Sequence, residues 1–409
     1  MTFSQPQQSA KFRWGRDIKL ILALFISSRL MMLLAFPPEN LVGYSDYRYF
    51  FNVAELTGRG FWPFIHFWSE YPPIFPYLNI AIYFLAGQQF KNYVLVLAFV
   101  LLLADAGNLA LLYRLAFRLH GRARAIRIAW IYTILFVPVF FWLSNFDALS
   151  AFLILLALTA LLENRRGLLG VALGVGAMLR VLPLLLLGAI WRCNGLRAAV
   201  GYGLAAVLIS LLILAPFLWL NPEMTTASLL SQAGKSSYQT VWALLDGNDT
   251  TGNFGPLIDH FDPVQATQPV NNPARIPPWL TLLPFAGLGL FLLTRPRRLP
   301  DINQDTLVFT ALTFLVFFLW SPGWSPQWQL FLIPLLLLTL PDTRAVLFII
   351  VLGFVNFLEW PIILSRGLTQ LLPLTIIIRT LLFGLLVFEL YQIFQSGILT
   401  EKKDRESKS

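Results

Sequence analysis

The chain has 409 residues, of which 57% are hydrophobic and only 12% are charged, whereas a soluble globular protein carries about 25% charged residues. Apolar runs of about 17–25 residues, the length that a spanning helix needs, recur from end to end, so the sequence predicts a polytopic helical membrane protein. The single cysteine, Cys193, excludes an internal disulfide and a thiolate metal cluster.

The first apolar run, 18–36, is predicted to be a membrane anchor because no small-residue cleavage site follows it. It leads into a first outer loop, 37–92, in which the short apolar stretch 74–86 is predicted to be a helix lying in the membrane interface. A crossing over 93–117 then returns to a strongly basic loop around 118–127. By the positive-inside rule this loop is predicted to be cytoplasmic.

One outward and one inward crossing follow, joined by a tight turn at 144–147. The next apolar stretch, 167–191, has basic residues at both ends and contains Arg180 and Pro183 near its middle. One straight helix there would place every later loop on the wrong side of the membrane. The pattern therefore predicts a broken helix or a re-entrant pair that turns around Arg180 and Pro183.

A crossing over 198–220 leads to the second large outer loop, 221–278. Crossings follow over 279–293 and 306–320, and two more pairs are predicted before the charged tail. The expected fold is an all-α integral membrane bundle with about 11–12 transmembrane or re-entrant helices. Residues 1–400 form one domain with two large outer loops.

Charge sets the expected orientation. Of the 30 lysines and arginines, 20 fall on the predicted inside, six outside and four within spans. Both termini are therefore predicted to be cytoplasmic, with 401–409 as a cytoplasmic tail, in the plasma (inner) membrane. Because most basic residues lie on the predicted inner side, orientation in the lipid bilayer explains the net charge of +9. No nucleic-acid partner is expected.

Two carboxylates stand out in the first outer loop, Asp46 and Glu70. A positioned carboxylate can take the proton of a sugar hydroxyl while a bond to that hydroxyl forms. A lipid phosphate departs as a stable anion and needs no general acid, but it needs a cation nearby. The sequence thus offers an outer carboxylate, a cation and the apolar surroundings that a lipid chain requires.

Each candidate also has a structural interpretation. Asp46 is either a base or the cap of a helix that begins at Tyr47. Glu70 is a second acid, a metal ligand or a solvated residue before a turn. Its i, i+4 spacing from His66 could hold a metal on a helix.

Arg180 is the leading cation, because an arginine at the bilayer centre costs about 2.5–3.5 kcal/mol and normally pairs or lines a polar cavity. It is either a phosphate clamp or the structural partner of Asp105 or Asp147. Arg29 and Arg379 are weaker candidates of the same kind. Asp105 is predicted to hold helices together through hydrogen bonds.

Four patches carry a family likeness. They are residues 46–73, which begin with DY and end with EYPP, residues 145–148 (NFDA), residues 170–183 (GVALGVGAMLRVLP) and residues 325–328 (SPQW). In this order the chain resembles the GT-C class of glycosyltransferases that use polyprenol-phosphate sugars. Within that class it resembles bacterial polyprenol-phosphate-mannose-dependent α-mannosyltransferases. The family commonly has lysine where this chain has Arg180.

The resemblance implies a GT-C-like enzyme that moves a hexose, with mannose favoured, from a polyprenyl-phosphate sugar to a lipid-linked or envelope glycan acceptor. Its active site would lie on the outer face, with Asp46 as general base and Asp147 near the acceptor or a metal. No cofactor is required, and a divalent metal ion is left open. The predicted catalytic residues are Asp46, Glu70 and Asp147. The predicted substrate-binding residues are Tyr47, Arg48, Tyr71, Arg180, Trp242, Gln327 and Trp328.

The second large loop contains residues 238–247 (YQTVWALLDG), which combine aromatic and polar groups. This stretch, with Trp242 at its centre, suits sugar recognition. It equally suits a loop helix that packs over the first outer loop.

Two other classes compete with the enzyme. A transporter would carry its charges at the midplane between symmetric halves, whereas no internal repeat is visible. A polysaccharide polymerase or ligase would depend on outer arginines, which are sparse here. The location of the essential residues separates the three: Asp46 for the enzyme, outer arginines for the polymerase and midplane charges for the transporter.

Overall fold

Helices make up the architecture of the computed structural model, which describes residues 15–396. Within that range no strand forms, and the only β pairings are two isolated bridges. The predicted all-α fold is confirmed. The helices are α1 Arg16–Ala35, α2 Pro38–Leu41, α3 Tyr47–Gly58, α4 Ile74–Leu85, α5 Phe90–His120, α6 Arg122–Ile134, α7 Phe136–Phe141, α8 Asp147–Leu162, α9 Arg166–Leu179, α10 Leu186–Asn194, α11 Leu196–Leu220, α12 Pro222–Gly234, α13 Val241–Asp246, α14 Pro278–Thr294, α15 Ile302–Trp320, α16 Gln329–Thr339, α17 Asp342–Phe357 and α18 Leu372–Ser396.

Within the described range, six helical stretches are long and apolar enough to cross a membrane, and six shorter apolar helices accompany them. The long ones are Arg16–Ala35, Phe90–His120, Leu196–Leu220, Ile302–Trp320, Asp342–Ile363 and Thr369–Ser396. The short helix predicted over 74–86 is present as α4. The predicted tail, 401–409, and the basic residues before Gly15 lie outside the described residues.

One part of the predicted map is wrong. Two pairs of crossings were expected after 306–320, but three helices, α16, α17 and α18, carry the chain to its described end. The apolar run after α16 continues through a π-helical segment, Leu358–Ile363, so that residues 342–363 form one long apolar stretch instead of two crossings.

Ion pairs tie together one end of the bundle. Arg192, at the end of α10, makes a bidentate contact of 2.6 and 2.9 Å with Asp305 at the start of α15. Arg124, at the start of α6, lies 3.0 Å from Asp342 at the start of α17. These helix ends are the ones predicted to share the inner side, so the relative order of the crossings agrees with the charge pattern. Which end faces the cytoplasm stays a prediction.

The stretch 167–191, predicted to be a broken helix or a re-entrant pair, contains a break. α9 ends at Leu179, Arg180 has an extended backbone, and a 3₁₀ turn at Leu182–Leu185 leads into α10. Pro183 explains the break, since it has no N–H to donate to a helix and its ring crowds the preceding turn. A Cβ on Gly176 would lie 2.8 Å from Cγ of Pro183, so this glycine lets the turn fold back onto α9.

Two arginines inside the bundle are paired and buried. Nε of Arg29 lies 3.2 Å from Oδ2 of Asp105, whose other oxygen accepts the Tyr132 hydroxyl at 2.7 Å. Arg379 pairs with Glu359. Asp105 therefore holds α1, α5 and α6 together as predicted, and both arginines have structural partners.

Candidate functional site

A cluster of aromatic rings brings the first outer loop onto the turn before α8. Phe75 stacks on Phe146 with 3.8 Å between ring centroids, and Tyr71 meets Phe146 edge-on at 4.9 Å. Phe50 of α3 packs on Phe75 at 4.7 Å. Each such pair contributes about 0.5–1.5 kcal/mol beyond the area it buries. Because Asp46, Glu70 and Asp147 neighbour these rings in sequence, the cluster draws the three carboxylates together.

Asp46 stands at the N-cap position of α3, but its side chain makes no capping hydrogen bond. Its Oδ2 instead accepts a hydrogen bond of 2.6 Å from Nδ2 of Asn145, 99 residues along the chain. The residue is exposed. Surrounding protein raises the pKa of its carboxyl, while Lys235, Arg180 and the Asn145 hydrogen bond lower it. An accessible carboxyl group that lies against surrounding protein and near two cations is suited to proton transfer.

Glu70 lies beside Asp46 but is buried, with 8% of the residue exposed. Burial raises the pKa of its carboxyl to about 7; Asp46 adds to the rise, and Lys235, Arg180 and a hydrogen bond from Tyr49 oppose it. Its carbonyl oxygen accepts a hydrogen bond of 2.6 Å from Gln232. Glu70 is therefore held by both outer loops.

Arg180 lies at the break after α9 and faces the start of α8. Nη2 of Arg180 is 3.1 Å from Oδ1 of Asp147, which is completely buried. The contact meets the distance for an ion pair, but neither carboxylate oxygen of Asp147 has a well-aligned hydrogen bond within the described residues. The guanidinium lies over the rings of Phe146 and Trp328, at 5.0 and 5.5 Å. Asp147, and not Asp105, is thus the partner of Arg180.

Lys235 is the cation that sequence reasoning missed. It follows α12 and is the only lysine in the second large loop. Among the charges that favour the ionised forms of Asp46 and Glu70, it acts more strongly than Arg180. The available signal was that Lys235 is one of only two basic residues in this loop, the other being Arg275, but nothing in the sequence says which carboxylates it faces.

The two outer loops meet at Trp68, which stacks on His260 with 3.7 Å between ring centroids. The backbone N–H of Trp68 donates to the carbonyl of His260 at 2.9 Å, and its indole N–H donates to the carbonyl of Asp262 at 3.1 Å. Ser69 donates its N–H to the Ser228 hydroxyl at 2.9 Å. The second loop thereby covers the segment that carries Glu70.

Of the other predicted substrate-binding residues, some lie at the site and others do not. Tyr71 and Trp328 lie at the site, through Phe146 and Arg180. Gln327 shares the short 3₁₀ turn of Trp328 and is partly exposed.

Tyr47 and Arg48 lie elsewhere. Tyr47 is completely buried and packs against Tyr93, with 6.3 Å between centroids. Arg48 is exposed, and its guanidinium lies 3.6 Å from the ring of Phe90. It is not among the charges that act on Asp46.

The stretch 238–247 packs against two later segments of the chain. Tyr238 pairs with the backbone of 322–324, and Val241 and Leu244 pack against Ile376 and its neighbours near the start of α18. Trp242 faces a separate cavity that Lys235 also lines.

The i, i+4 spacing of His66 and Glu70 does not place the two side chains on one helix face, because the segment between them is not helical. Nδ1 of His66 accepts a hydrogen bond of 2.9 Å from the N–H of Trp62 at an exposed position. Among residues 15–396, no three His, Cys, Asp or Glu side chains gather in the manner of a metal site. The helical arrangement that the spacing of His66 and Glu70 required is therefore absent from this segment.

No family model and no curated protein matches the chain. Among solved structures, the chain is similar to the oligosaccharyltransferase of Archaeoglobus fulgidus in its apo form, with 13% identity and a TM-score of 0.45. The match covers 90% of this chain and 56% of that protein, so the chain spans little more than half of its length.

Proposed function

We propose that this protein is a membrane glycosyltransferase of the GT-C type that moves a hexose from a polyprenyl-phosphate sugar to a lipid-linked or envelope glycan acceptor. The observation that supports it most is the accessible carboxylate of Asp46, held by Asn145 within reach of two cations at one end of a helical membrane bundle. On the sequence resemblance, mannose is the favoured hexose and the outer face of the plasma membrane the location.

Asp46 is the proposed general base. It takes the proton of the acceptor hydroxyl while that oxygen forms a bond to the anomeric carbon of the sugar. The bond from this carbon to the phosphate oxygen breaks, and its electron pair leaves with the polyprenyl phosphate. Because a phosphate monoester has a second pKa of about 6, it departs as a stable anion without a general acid. Lys235 and Arg180 supply the positive charge that this anion needs.

Asp147 and Glu70 have supporting roles in this proposal. The buried carboxylate of Asp147 orients Arg180 through their 3.1 Å contact. Glu70 holds the Tyr49 hydroxyl beside Asp46. Near neutral pH its carboxyl is protonated in some molecules and charged in others, so the net charge of the site changes with pH.

The positions of the remaining charges favour the enzyme over its competitors. The midplane arginines Arg29 and Arg379 are buried in ion pairs with Asp105 and Glu359, whereas a transporter needs such charges accessible to its cargo. Of the outer arginines, Arg59, directly after α3, pairs with Glu55 of that helix, and Arg48 lies on Phe90. These contacts do not converge on a polymerase site.

The test is transfer by purified protein supplied with radiolabelled polyprenyl-phosphate hexoses and a panel of glycolipid acceptors. Asp46→Asn keeps the shape of the side chain but cannot accept the proton, so transfer should fall at least about 10²-fold. Asp249→Asn, at an exposed position in the second loop, is the matched control and should transfer normally. Near-normal turnover by Asp46→Asn would remove this residue from the chemistry.

A further inference from the structure

Arg379, about two turns into α18, contacts the segment after α17 and an outer loop at the same time. It is buried, with 2% of the residue exposed, and its Nη1 donates a hydrogen bond to the carboxylate of Glu359. Its Nη2 donates a second hydrogen bond to the backbone carbonyl of Gln239, in the second large outer loop. A guanidinium carries five N–H donors in a fixed plane, so one arginine can set the distance between two acceptors. Arg379 therefore joins the second outer loop to the last helices of the bundle.

The backbone at Gln239 has a conformation that its neighbours must hold. Its φ is +54°, in the left-handed region that residues other than glycine rarely adopt. Such a backbone persists only where the surrounding structure determines it. On either side of it, the N–H of Tyr238 and the hydroxyl of Thr240 both donate to the carbonyl of Pro322, at 3.1 and 2.9 Å. Arg379 holds the carbonyl that lies between these two contacts.

The position of Lys235 depends on this contact between the loop and the turn 321–324. Nζ of Lys235 lies 4.6 Å from the ring centroid of Tyr238. The Tyr238 ring in turn packs against the turn, since a Cβ on Gly323 would lie 2.2 Å from its Cε1. No side chain larger than hydrogen fits at Gly323 without displacing the ring. A change in the distance between loop and turn would therefore move Lys235.

Arg379 also contacts the aromatic rings that lead to Arg180. Its guanidinium lies 5.3 Å from the ring centroid of Trp324, whose indole N–H donates to Oδ1 of Asn356 at 3.2 Å. Trp324 meets Trp328 edge-on with 5.9 Å between centroids, and Trp328 lies 5.5 Å from the Arg180 guanidinium. Both cations of the site are thus connected to one buried arginine through a short series of contacts.

The second hydrogen bond of Arg379 distinguishes it from a structural ion pair. A buried ion pair is weak evidence for a stabilising role, because the cost of removing two charges from water can exceed their attraction. Arg29 is also buried, and it pairs with Asp105 and lies 3.4 Å from the ring of Phe25, both on helices of the bundle. Arg379 instead extends its second donor to an outer loop. This contact indicates a role in placing that loop.

We propose that Arg379 is a positioning residue: it holds the second outer loop against the turn 321–328 and thereby sets the positions of Lys235 and Arg180. It acts through these two side chains and not on the substrate. The assignment rests on the proposed function, in which the two cations balance the charge of the departing phosphate, and adds to it the residue that places them. Loss of Arg379 should therefore impair use of the donor and leave use of the acceptor unchanged.

The first experiment measures backbone hydrogen exchange of the full-length protein in nanodiscs, without substrate. Arg379→Met and Glu359→Gln are introduced together, so that no unpaired charge stays buried. Exchange over 238–248 and 321–328 should become at least about tenfold faster, because the loop loses a charge-assisted hydrogen bond.

The matched control is Arg29→Met with Asp105→Asn, which removes a buried pair between α1 and α5. It should leave exchange over both segments as in the wild type. Wild-type exchange in the Arg379 double variant, or an equal rise in the control, would overturn the positioning role.

The second experiment measures transfer at equal amounts of folded protein. The Arg379 and Glu359 double variant should raise the donor KM about tenfold, because misplaced cations lose a charge-assisted contact with the phosphate. The acceptor KM should stay within about twofold of the wild type. A purely structural role would lower the amount of folded enzyme and leave both KM values unchanged per folded molecule. Equal changes in the two KM values would likewise contradict positioning of the cations.

Gly323→Ala tests the same route with the buried ion pair intact. Its methyl would lie 2.2 Å from Cε1 of Tyr238, so it should separate the loop from the turn, speed exchange over 238–248 and raise the donor KM. Gly289→Ala is the control, since its methyl would have no atom within 4 Å, and it should behave as the wild type. Identical donor KM values in the two alanine variants would overturn the route through Tyr238.

The outcome is separable from that of the proposed function. If exchange rises as expected while the wild type transfers no hexose, the contact of Arg379 with the loop stands and the proposed function fails. If the wild type transfers and Asp46→Asn does not, while the Arg379 double variant keeps the wild-type donor KM, the transferase stands and the positioning role fails.

Discussion

Among single side chains, the buried carboxyl of Glu70 is one whose charge changes near neutral pH. Burial raises the pKa of its carboxyl from 4.5 to about 7, so the folded protein retains a proton that the unfolded chain releases at lower pH. The stability that this proton confers is fully present below pH 4.5 and is lost as the pH rises through 7. Alkaline conditions therefore place a charge in a buried position.

Glu70→Gln should remove this dependence, because the amide cannot ionise and still accepts the Tyr49 hydroxyl. Relative to this variant, the wild type should lose about 2–3 kcal/mol of unfolding free energy between about pH 5 and pH 8. Melting temperatures of both proteins across this range provide the measurement, with Glu55→Gln, whose side chain is 42% exposed, as control. Parallel curves for Glu70→Gln and the wild type would contradict the buried proton.

The pair of Arg180 and Asp147 allows a stability role to be separated from a binding role. Arg180→Ala leaves a completely buried carboxylate without its counter-charge, which should cost about 3 kcal/mol. Adding Asp147→Asn should recover most of the loss in melting temperature. The exposed pair Arg59 and Glu55, 3.2 Å apart, is the control, and Arg59→Ala should cost less than about 1 kcal/mol.

Arg180→Lys keeps the charge but loses the fork of donors, so it should raise the donor KM with little change in melting temperature. If Arg180→Ala destabilises the protein while the donor KM per folded molecule stays the same, Arg180 serves the fold alone.

The two residues that follow Asp46 in the chain do not lie at the site with it. Asp46, Tyr47 and Arg48 are adjacent in the chain, and the sequence predicts all three at the site. Consecutive residues of a helix lie about 100° apart, so the start of α3 directs Tyr47 into the core against α5 and Arg48 towards Phe90. Adjacency to a functional residue therefore does not identify a ligand contact on a helix.

At the scale of elements, the broken segment between α9 and α10 positions Arg180. Its break was predictable because Arg180 and Pro183 interrupt an apolar run with basic residues at both ends. Lys235 was not predictable, since its site depends on contacts between Trp68 and His260, which lie 192 residues apart. Local sequence encodes a proline break, whereas a meeting of two distant loops depends on the complete fold.

Gly176→Ala tests whether the turn after α9 controls the site. The added methyl would lie 2.8 Å from Pro183, so it should shift the turn and move Arg180 away from Asp147. Donor KM should rise about tenfold, because a misplaced cation loses a charge-assisted contact. Gly170→Ala is the control in the same helix, since its methyl would make an ordinary 3.9 Å contact with Ala205. Equal kinetics in the two variants would mean that the turn tolerates displacement.

For the whole molecule, the orientation of the helical bundle in the membrane decides on which side Asp46 lies. In a Cys193→Ser background, Asp249→Cys should react with a membrane-impermeant maleimide in intact cells. Arg298→Cys should react only after permeabilisation. Both positions are exposed and lie at opposite ends of the bundle. The reverse pattern of labelling would place Asp46 on the cytoplasmic side and overturn the proposed outer active site.

The two outer loops meet at a junction around Trp68 and His260. It consists of hydrogen bonds between uncharged groups and of a ring stacked on His260, whose pKa burial lowers to about 4, so the imidazole is neutral at physiological pH. Added salt screens exposed charges over a Debye length of about 10 Å at 0.1 M but leaves uncharged contacts nearly unaffected. The contacts at this junction should therefore be the same at low and high ionic strength. A rise of donor KM with salt then measures the screening of charges at the site, among them Lys235 and Arg180, without a contribution from loosening of this junction.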